Sequence, residues 1–207
     1  MKRELARQIV HLSGVLFVLL SLYVTPWLVA AYSFAVAAGL AAYAAYFRMQ
    51  KGRLMRMVER LEAPFRKALL FLERDEQPSP PFAGAFWFFL SMGACFIAFP
   101  APLGQAAVWM LAVGDSMSTI IGKSVGKHRI LGKKTAEGTL SVLLLSLTAA
   151  WLAPAVPVVA GAAAAAMAEL LPEARPLRKL HALGIVNDNW MIPAAAGAAM
   201  WLVTLAL

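Results

Sequence analysis

The amino-acid sequence predicts an all-α integral membrane protein, in which about seven transmembrane helices and one interfacial amphipathic helix form a single domain, residues 1–207. Composition is the first reason, because 61% of the residues are hydrophobic, 14% are charged and the mean hydropathy is +0.69. Soluble domains carry roughly 25% charged residues. The other two reasons are the regular succession of apolar runs and the one-sided placement of the basic residues between them.

The first two apolar runs cover 12–24 and 27–46. The second run has about 20 residues, which at a rise of about 1.5 Å per residue crosses a hydrocarbon core roughly 30 Å thick. The basic start at 1–11 followed by a short apolar run is also the pattern of a secretory signal peptide. A transmembrane helix is favoured, because no clean cleavage site precedes a soluble domain and further apolar runs follow.

Residues 48–77 differ from these runs, because apolar and basic residues occupy opposite faces of one predicted helix. The apolar stripe consists of Leu54, Val58, Leu61, Phe65, Leu69 and Leu72, and the opposite face carries Lys51, Arg53, Arg56, Arg60, Arg66 and Lys67. Such a helix lies in the headgroup plane, and Pro64 is expected to bend it. An ordinary connector without a catalytic part is the alternative interpretation.

Five further apolar runs are separated by short turns and polar loops. They cover 82–99, 105–122, 139–152, an alanine-rich segment that follows 153–157 and ends at 169–172, and 190–207. The turns at 100–104 and 153–157 are uncharged. The single cysteine, Cys95, lies inside an apolar run, so it has no intrachain disulfide partner and we expect it only to pack.

The basic residues are strictly segregated, since all 19 Lys and Arg residues fall in 1–11, 47–81, 123–138 and 173–188. Seven spans with a cytoplasmic N-terminus put these four segments on the cytoplasmic side and the C-terminus on the opposite side, as the positive-inside rule requires. The net charge of +8 and the pI near 10 then indicate anionic lipid headgroups or an anionic substrate as partners, and not nucleic acid.

The stretch 114–138 combines acid, base and glycine where an apolar run becomes polar. Asp115 follows the apolar residues 106–113, and an ionisable group at such a depth is costly and by default functional. The basic residues that follow are Lys123, Lys127, Arg129, Lys133 and Lys134, interrupted by Gly126 and Gly132. Lysines neutralise phosphate oxygens, glycines admit them to the backbone, and carboxylates hold a hard divalent cation. The stretch predicts a polyanion site. The lysines alone are also explained by the excess of basic residues that marks the cytoplasmic loops of membrane proteins.

Four carboxylates from separate segments are predicted at or just below the cytoplasmic interface, namely Asp115, Glu137, Glu169 and Asp188. A transporter would more naturally carry its charges near the membrane midplane. Structural roles are the alternatives. Glu137-Gly138 would cap the fifth span, Asp188-Asn189 would cap the seventh, and Glu169 would snorkel to the interface.

An ordered set of motifs runs through nearly the whole chain. It comprises Gly114-Asp115, Gly122-Lys123, Gly126, Lys133-Lys134-Thr135, Glu137-Gly138, Glu169, Asp188-Asn189 and Pro193, with Glu4, Arg7 and His11 at the start. This set resembles the CTP-dependent lipid-alcohol kinases, which include dolichol kinase, the yeast-type diacylglycerol kinase and phytol kinase. Gln8 departs from the family's usual lysine in the opening pattern, and Met117 and Ser118 stand where small residues such as alanine are common.

The resemblance implies transfer of the terminal phosphoryl group of CTP to the hydroxyl of a membrane lipid alcohol, such as diacylglycerol, a polyprenol or dolichol, or a phytol-type isoprenoid. It implies Mg²⁺ as cofactor, with Asp115, Asp188 and Glu169 as ligands. The implied nucleotide contacts are Gly114, Gly122, Lys123, Gly126, Lys133, Lys134, Gly138 and Asn189. The implied catalytic residues are Asp115, Glu137, Glu169 and Lys133, and either Glu137 or Glu169 accepts the hydroxyl proton.

Two other functions stay open at this point. A phosphatidate cytidylyltransferase-like enzyme would join CMP to a phospholipid and release pyrophosphate. A non-enzymatic membrane protein would use the basic face to bind anionic lipid, but lipid binding alone needs no carboxylates within the spans.

Overall fold

A computed structural model describes residues 2–48, 63, 64, 67, 82–182 and 185–207. The interfacial helix predicted at 48–77 lies, apart from those isolated positions, outside the described residues. The described chain is dominated by helices, which confirms the all-α prediction at that level. The order of elements is α1 (Lys2–Leu12), α2 (Gly14–Tyr23), α3 (Pro26–Arg48), α4 (Ala83–Ala98), α5 (Ala101–Trp109), a π-helix (Met110–Asp115), α6 (Ser116–Ser124), β1 (Arg129–Leu131), β2 (Lys134–Thr135), α7 (Ala136–Ser146), a 3₁₀-helix (Leu147–Trp151), α8 (Ala155–Leu170), a 3₁₀-helix (Leu171–Glu173), α9 (Arg178–Ala182) and α10 (Asp188–Ala206).

Four helical segments among the described residues are long and apolar enough to cross a membrane. They are Leu5–Tyr23, Pro26–Tyr46, Ala155–Glu173 and Asp188–Ala206, and two shorter apolar helices cover Ala83–Ala98 and Ala136–Trp151. Large apolar side chains on these segments, such as Leu16 and Leu202, are exposed. Water disfavours such surfaces whereas lipid does not, so the helices are those of a membrane protein.

The helices enclose a core of long, flexible apolar side chains. Met92, Met110, Leu111, Ile192 and Met200 are completely buried, and they come from α4, the π-helix and α10. Helix α10 packs along α8, α3 packs along α4, and α6 packs against α7. Leu111 and Met110 therefore anchor the π-helix, which ends at Asp115, in the centre of the bundle.

The π-helix was not predicted, because hydrophobic spacing does not report a switch from i→i−4 to i→i−5 hydrogen bonds. It interrupts the long helical segment that runs from 101 to 124 and ends on Asp115. Single π-helical turns occur mostly inside α-helices and often at functional sites. The irregularity thus draws attention to the same aspartate that the sequence singled out.

A short β-hairpin replaces the basic loop expected at 123–138. Strands β1 and β2 are antiparallel, with Arg129 opposite Thr135 and Leu131 opposite Lys134, and the register shifts between the two pairs. The turn is formed by Gly132 and Lys133, and Gly132 has a φ of +55°. A positive φ at the first turn residue alone is the pattern of a type II′ turn, which suits hairpins. This hairpin positions Lys134 for the site described below.

Candidate active site

Three carboxylates from different helices surround the side chain of Lys134. The Lys134 Nζ lies 2.7 Å from Glu169 Oε1 and 3.8 Å from Asp188 Oδ2. Asp115 is close enough for its charge to act on the same ammonium group. All three acidic residues are buried, with exposed fractions of 4% for Asp115, 2% for Glu169 and 5% for Asp188. We call these four residues the Lys134 cluster.

The pKa of Lys134 reflects this arrangement. Burial alone would lower the pKa, but the charges of Asp188, Glu169 and Asp115 outweigh burial and raise the pKa of Lys134 above its ordinary value. The lysine is therefore an ammonium ion at any physiological pH. A cation and several anions held together in this way could accept both a metal ion and phosphate oxygens.

The hairpin explains why Lys134, and not its neighbour, enters the cluster. Lys133 occupies the turn and is exposed, while its backbone N–H donates to Glu173 Oε2 at 3.4 Å. Lys134 lies on β2, and its side chain is only 18% exposed. The next residue, Thr135, is buried, and its side chain contacts Gly138 instead of the cluster carboxylates. The sequence could not distinguish the two lysines, because the turn position decides which one points inward.

Glu169 is held by hydrogen bonds on both carboxylate oxygens. Oε1 accepts from Lys134 and from Ser118 Oγ at 3.3 Å, and Oε2 accepts from Thr139 Oγ1 at 2.9 Å. A carboxylate so enclosed is not snorkelling to the interface. Ser118 and Thr139 were not assigned to the site from the sequence. For Ser118 the available signal was its position three residues after Asp115, on the same helix face.

Asp188 lies in the first turn of α10, where a negative charge also suits the helix dipole. The capping residue is its neighbour Asn187, whose side chain accepts from the Asn189 N–H at 2.9 Å. The N-cap of α10 is therefore Asn187, and not the predicted pair Asp188-Asn189. Asp188 itself faces Lys134.

Asn189 fixes the start of α10 against α4. Its Nδ2 donates to the Gly84 carbonyl at 3.1 Å, and its own carbonyl accepts from Ser91 Oγ at 2.7 Å. Its Oδ1 is buried and accepts no hydrogen bond from the part of the chain that the structure describes. A buried amide oxygen next to Asp188 is a hard acceptor of the kind that Mg²⁺ prefers.

Glu137 does not join the Lys134 cluster but closes the hairpin. Its carboxylate lies 2.7 Å from His128 Nδ1 and accepts from the His128 backbone N–H at 3.3 Å. A hydrogen bond from its own backbone N–H, followed by the contact with His128, lowers the pKa of Glu137 to about 2. Such a carboxylate stays ionised and is a weak proton acceptor. The cap of α7 is Thr135, whose Oγ1 accepts from the Gly138 N–H at 3.2 Å, so the expected capping role does not fall to Glu137.

The predicted phosphate-binding glycines are packed against the chain itself. A Cβ added to Gly138 would lie 3.0 Å from the Ser118 carbonyl oxygen, and one added to Gly122 would lie 3.1 Å from Thr135 Oγ1. Gly126 is more crowded still, by Thr135 and by the Gly122 carbonyl. These glycines let α6, α7 and the hairpin approach closely, which brings Ser118 and Thr139 to Glu169. Their contact with a nucleotide stays a prediction.

We expect Gly126→Ala to destabilise this packing, because the new methyl group meets the Gly122 carbonyl and Thr135 in space that the backbone already fills. Overpacking of this kind costs about 1–3 kcal/mol, which should lower the thermal midpoint of the purified protein by several degrees. Gly39→Ala is the matched control, since nothing lies within 4 Å of its added Cβ. Equal midpoints for the two variants would show that the Gly126 contact is unimportant.

The remaining predicted residues lie around the cluster. Lys123 is exposed at the end of α6, and Gly114 lies in the π-helix, where an added Cβ would lie 3.0 Å from Ser146 Oγ. His11 packs its ring edge-to-face on Phe88, with the centroids 4.9 Å apart. The structure thus gathers Asp115, Glu169, Asp188 and Lys134, and leaves Glu137 and Lys133 on the hairpin.

Comparison of the chain with family models, with characterised proteins and with solved structures gave no match. The site is therefore interpreted from its own chemistry. Carboxylates and an ammonium ion at the polar end of apolar helices suit a phosphorylated, water-soluble ligand and a group at the lipid headgroup level. The arrangement contains no thiol or hydroxyl nucleophile paired with a histidine base among the described contacts of the cluster.

Proposed function

We propose that this protein transfers the terminal phosphoryl group of CTP to the hydroxyl of a membrane lipid alcohol. The observation that carries the proposal is the convergence of Asp115, Glu169 and Asp188 on Lys134, next to a hairpin rich in exposed basic residues. Phosphoryl transfer depends mainly on positioning and on neutralising phosphate oxygens, so cations and metal-binding carboxylates suffice. CTP is proposed as the donor because of the ordered motifs.

The location of the cluster favours a lipid acceptor. Asp188 begins a helix that can cross a membrane, and Glu169 lies near the end of another, Ala155–Glu173. A side chain at the end of such a helix meets the headgroup layer, where the hydroxyl of a lipid alcohol also resides. The nucleotide can approach from water past the exposed Lys123, Lys127 and Lys133.

The donor set fits Mg²⁺. This ion takes one or two carboxylates directly and keeps its other positions for water and substrate phosphates. Asp115 and Asp188 would hold it, with the buried Asn189 Oδ1 in support. Among the described residues, no three or more acidic, histidine or cysteine side chains are arranged so that they could hold a metal ion by themselves, so a fully protein-enclosed metal cage is not what is proposed. When bound, the ion would neutralise charge on the phosphate oxygens.

The chain's own residues would bind and orient the phosphates and accept a proton. The lipid oxygen forms a bond to the terminal phosphorus, the bond to the bridging oxygen breaks, and CDP leaves. The Lys134 ammonium group neutralises phosphate oxygens. The pKa of Glu137, about 2, makes it a poor acceptor for the hydroxyl proton, and both Glu169 oxygens already accept hydrogen bonds. The hydroxyl proton would pass to Asp115 or Asp188, whichever does not bind Mg²⁺ directly.

The proposed topology has seven spans with a cytoplasmic N-terminus. Besides the four long segments, it includes Ala83–Ala98, residues 105–122 of the helical segment 101–124, and residues 139–152, so that Lys123 and Glu137 lie on the cytoplasmic side of their spans. This arrangement keeps all 19 Lys and Arg residues on one side.

Single cysteines test this topology in a Cys95→Ser background. Cysteines introduced at Ala101 and Ala155, the exposed first residues of α5 and α8, should react with an impermeant thiol reagent added outside intact cells. A cysteine at the exposed Ser124 should react only after the membrane is opened. Reaction at position 124 from outside would refute both the topology and a cytoplasmic site.

An enzymatic assay tests the proposed function itself. The purified protein is incubated in detergent micelles with Mg²⁺, CTP labelled at the terminal phosphate, and one lipid alcohol at a time from diacylglycerol, a polyprenol and phytol. We expect label in one lipid product and little transfer from ATP. Equal use of ATP would weaken the choice of CTP. Anionic lipid bound without any labelled product would favour a non-enzymatic role.

A further inference from the structure

We infer that Glu169, together with Ser118 and Thr139, is a positioning group that fixes the Lys134 ammonium ion toward the substrate phosphates, and is neither a metal ligand nor the proton acceptor. The inference rests on the proposed function for its meaning, because Lys134 is the group placed on phosphate. It gives roles to two hydroxyl residues and changes the role implied for Glu169.

Three side chains direct hydrogen-bond donors at the two carboxylate oxygens of Glu169. Lys134 donates to Oε1 at 2.7 Å and Thr139 donates to Oε2 at 2.9 Å. The Ser118 hydroxyl lies 3.3 Å from Oε1 and shares its proton with the Asp115 carbonyl, 3.0 Å away. Glu169 is 2% exposed. Both oxygens are therefore engaged in a closed environment, and a metal ion or a substrate proton would have to displace one of these donors.

The three donors lie on three different secondary-structure elements. Ser118 lies on α6, Lys134 on β2 and Thr139 on α7, while Glu169 belongs to α8. One carboxylate of α8 thus connects to three elements, α6, β2 and α7, which approach one another closely at the glycine contacts. Because each donor is on a different element, the position of the carboxylate is fixed independently of any ligand.

Lys134 and its neighbour Lys133 differ in the exposure of their side chains. A lysine side chain has many rotamers, and holding one of them requires a strong partner. Lys133 is exposed, whereas the Lys134 side chain is 18% exposed and lies 2.7 Å from Glu169. Asp188 is farther from Nζ, at 3.8 Å, so Glu169 is the closer carboxylate partner.

Competitive acylation of lysines in the metal-free protein tests this without relying on activity. The labelling rate of Lys134 is measured by mass spectrometry with Lys133 as internal reference. We expect Lys134 to label far more slowly than Lys133 in the unaltered protein. In Glu169→Gln and in Thr139→Val the Lys134 rate should rise severalfold, with Lys133 unchanged. Thr148→Val is the matched control for Thr139→Val, since the Thr148 hydroxyl contacts Trp109 and the Leu145 carbonyl.

Kinetics then separate positioning from metal binding. Glu169→Gln should lower kcat about 10–100-fold, the usual range for groups that orient a ligand-binding side chain. The Mg²⁺ concentration for half-maximal activity should not change, and Thr139→Val should show a smaller loss in the same direction. A large rise in the Mg²⁺ requirement of Glu169→Gln, or unchanged Lys134 labelling in both variants, would overturn the inference. The labelling result holds even if no kinase activity is found, so its failure is distinguishable from failure of the proposed function.

Discussion

Asp115→Asn and Asp188→Asn should each insert and purify normally and lose phosphoryl transfer by about 100-fold or more, the scale of removing one preorganised charge from an active site. Both aspartates are buried and both act on the ammonium group of Lys134. Asparagine keeps the shape of each side chain but removes the charge that would hold Mg²⁺. The measurement is kcat/KM for CTP together with the Mg²⁺ dependence.

The double variant makes this prediction specific. If the two aspartates serve one site, losing both should be hardly worse than losing either, because residues that act as a unit are non-additive. Asn187→Ala is a useful control, since it removes the cap of α10 and should reduce stability by about 1 kcal/mol without removing a site charge. Near-normal turnover and unchanged Mg²⁺ dependence in Asp188→Asn, with Asp115→Asn inactive, would show that the shared site is wrong.

Lys134→Met should be the most destabilising change in the site. It leaves Asp115, Glu169 and Asp188 buried without the cation that lies among them. Removing one member of a buried ion pair typically costs about 3–5 kcal/mol, and the lower end suits a lysine that retains some exposure. The thermal midpoint in micelles should fall by several degrees or more, and activity should be lost.

The neighbouring lysine supplies the control for stability. Lys133 is exposed in the hairpin turn, so Lys133→Met should change stability by no more than about 0.5 kcal/mol. Lys134→Arg should recover much of the stability, because it keeps the charge, but less of the activity, since a planar guanidinium does not replace a compact ammonium ion. Equal midpoints for Lys134→Met and Lys133→Met would contradict the buried cluster.

The fold class and the gathering of carboxylates were accessible from sequence for one physical reason. Apolar runs joined by short turns must form antiparallel helices, so alternate helix ends meet on the same side of the membrane. Glu169 and Asp188 lie near such ends, and Asp115 lies within the helical segment 101–124. The number of spans is less secure from sequence, because short apolar helices such as Ala83–Ala98 and Ala136–Trp151 lie below the usual spanning length.

The details of the site depend on contacts that no local pattern contains. The inward position of Lys134 follows from a hairpin whose register shifts between Arg129 and Leu131. Glu137 was grouped with the other carboxylates because the predicted topology puts it on their side of the membrane, yet its carboxylate contacts His128, nine residues earlier. The hydroxyls of Ser118 and Thr139 reach Glu169 only because glycines allow two helices to approach closely.

We propose above all that the Lys134 cluster catalyses transfer of the terminal phosphoryl group of CTP to a lipid alcohol. The most direct measurement runs two reactions in parallel with Mg²⁺ and the accepted lipid alcohol, one with CTP labelled at the terminal phosphate and one with CTP labelled at the phosphate next to the ribose. Asp115→Asn protein serves as the blank. The account predicts that only the terminal label enters the lipid and that the other label is recovered in CDP. Entry of the ribose-proximal label into lipid, with release of pyrophosphate, would contradict it and identify nucleotidyl transfer.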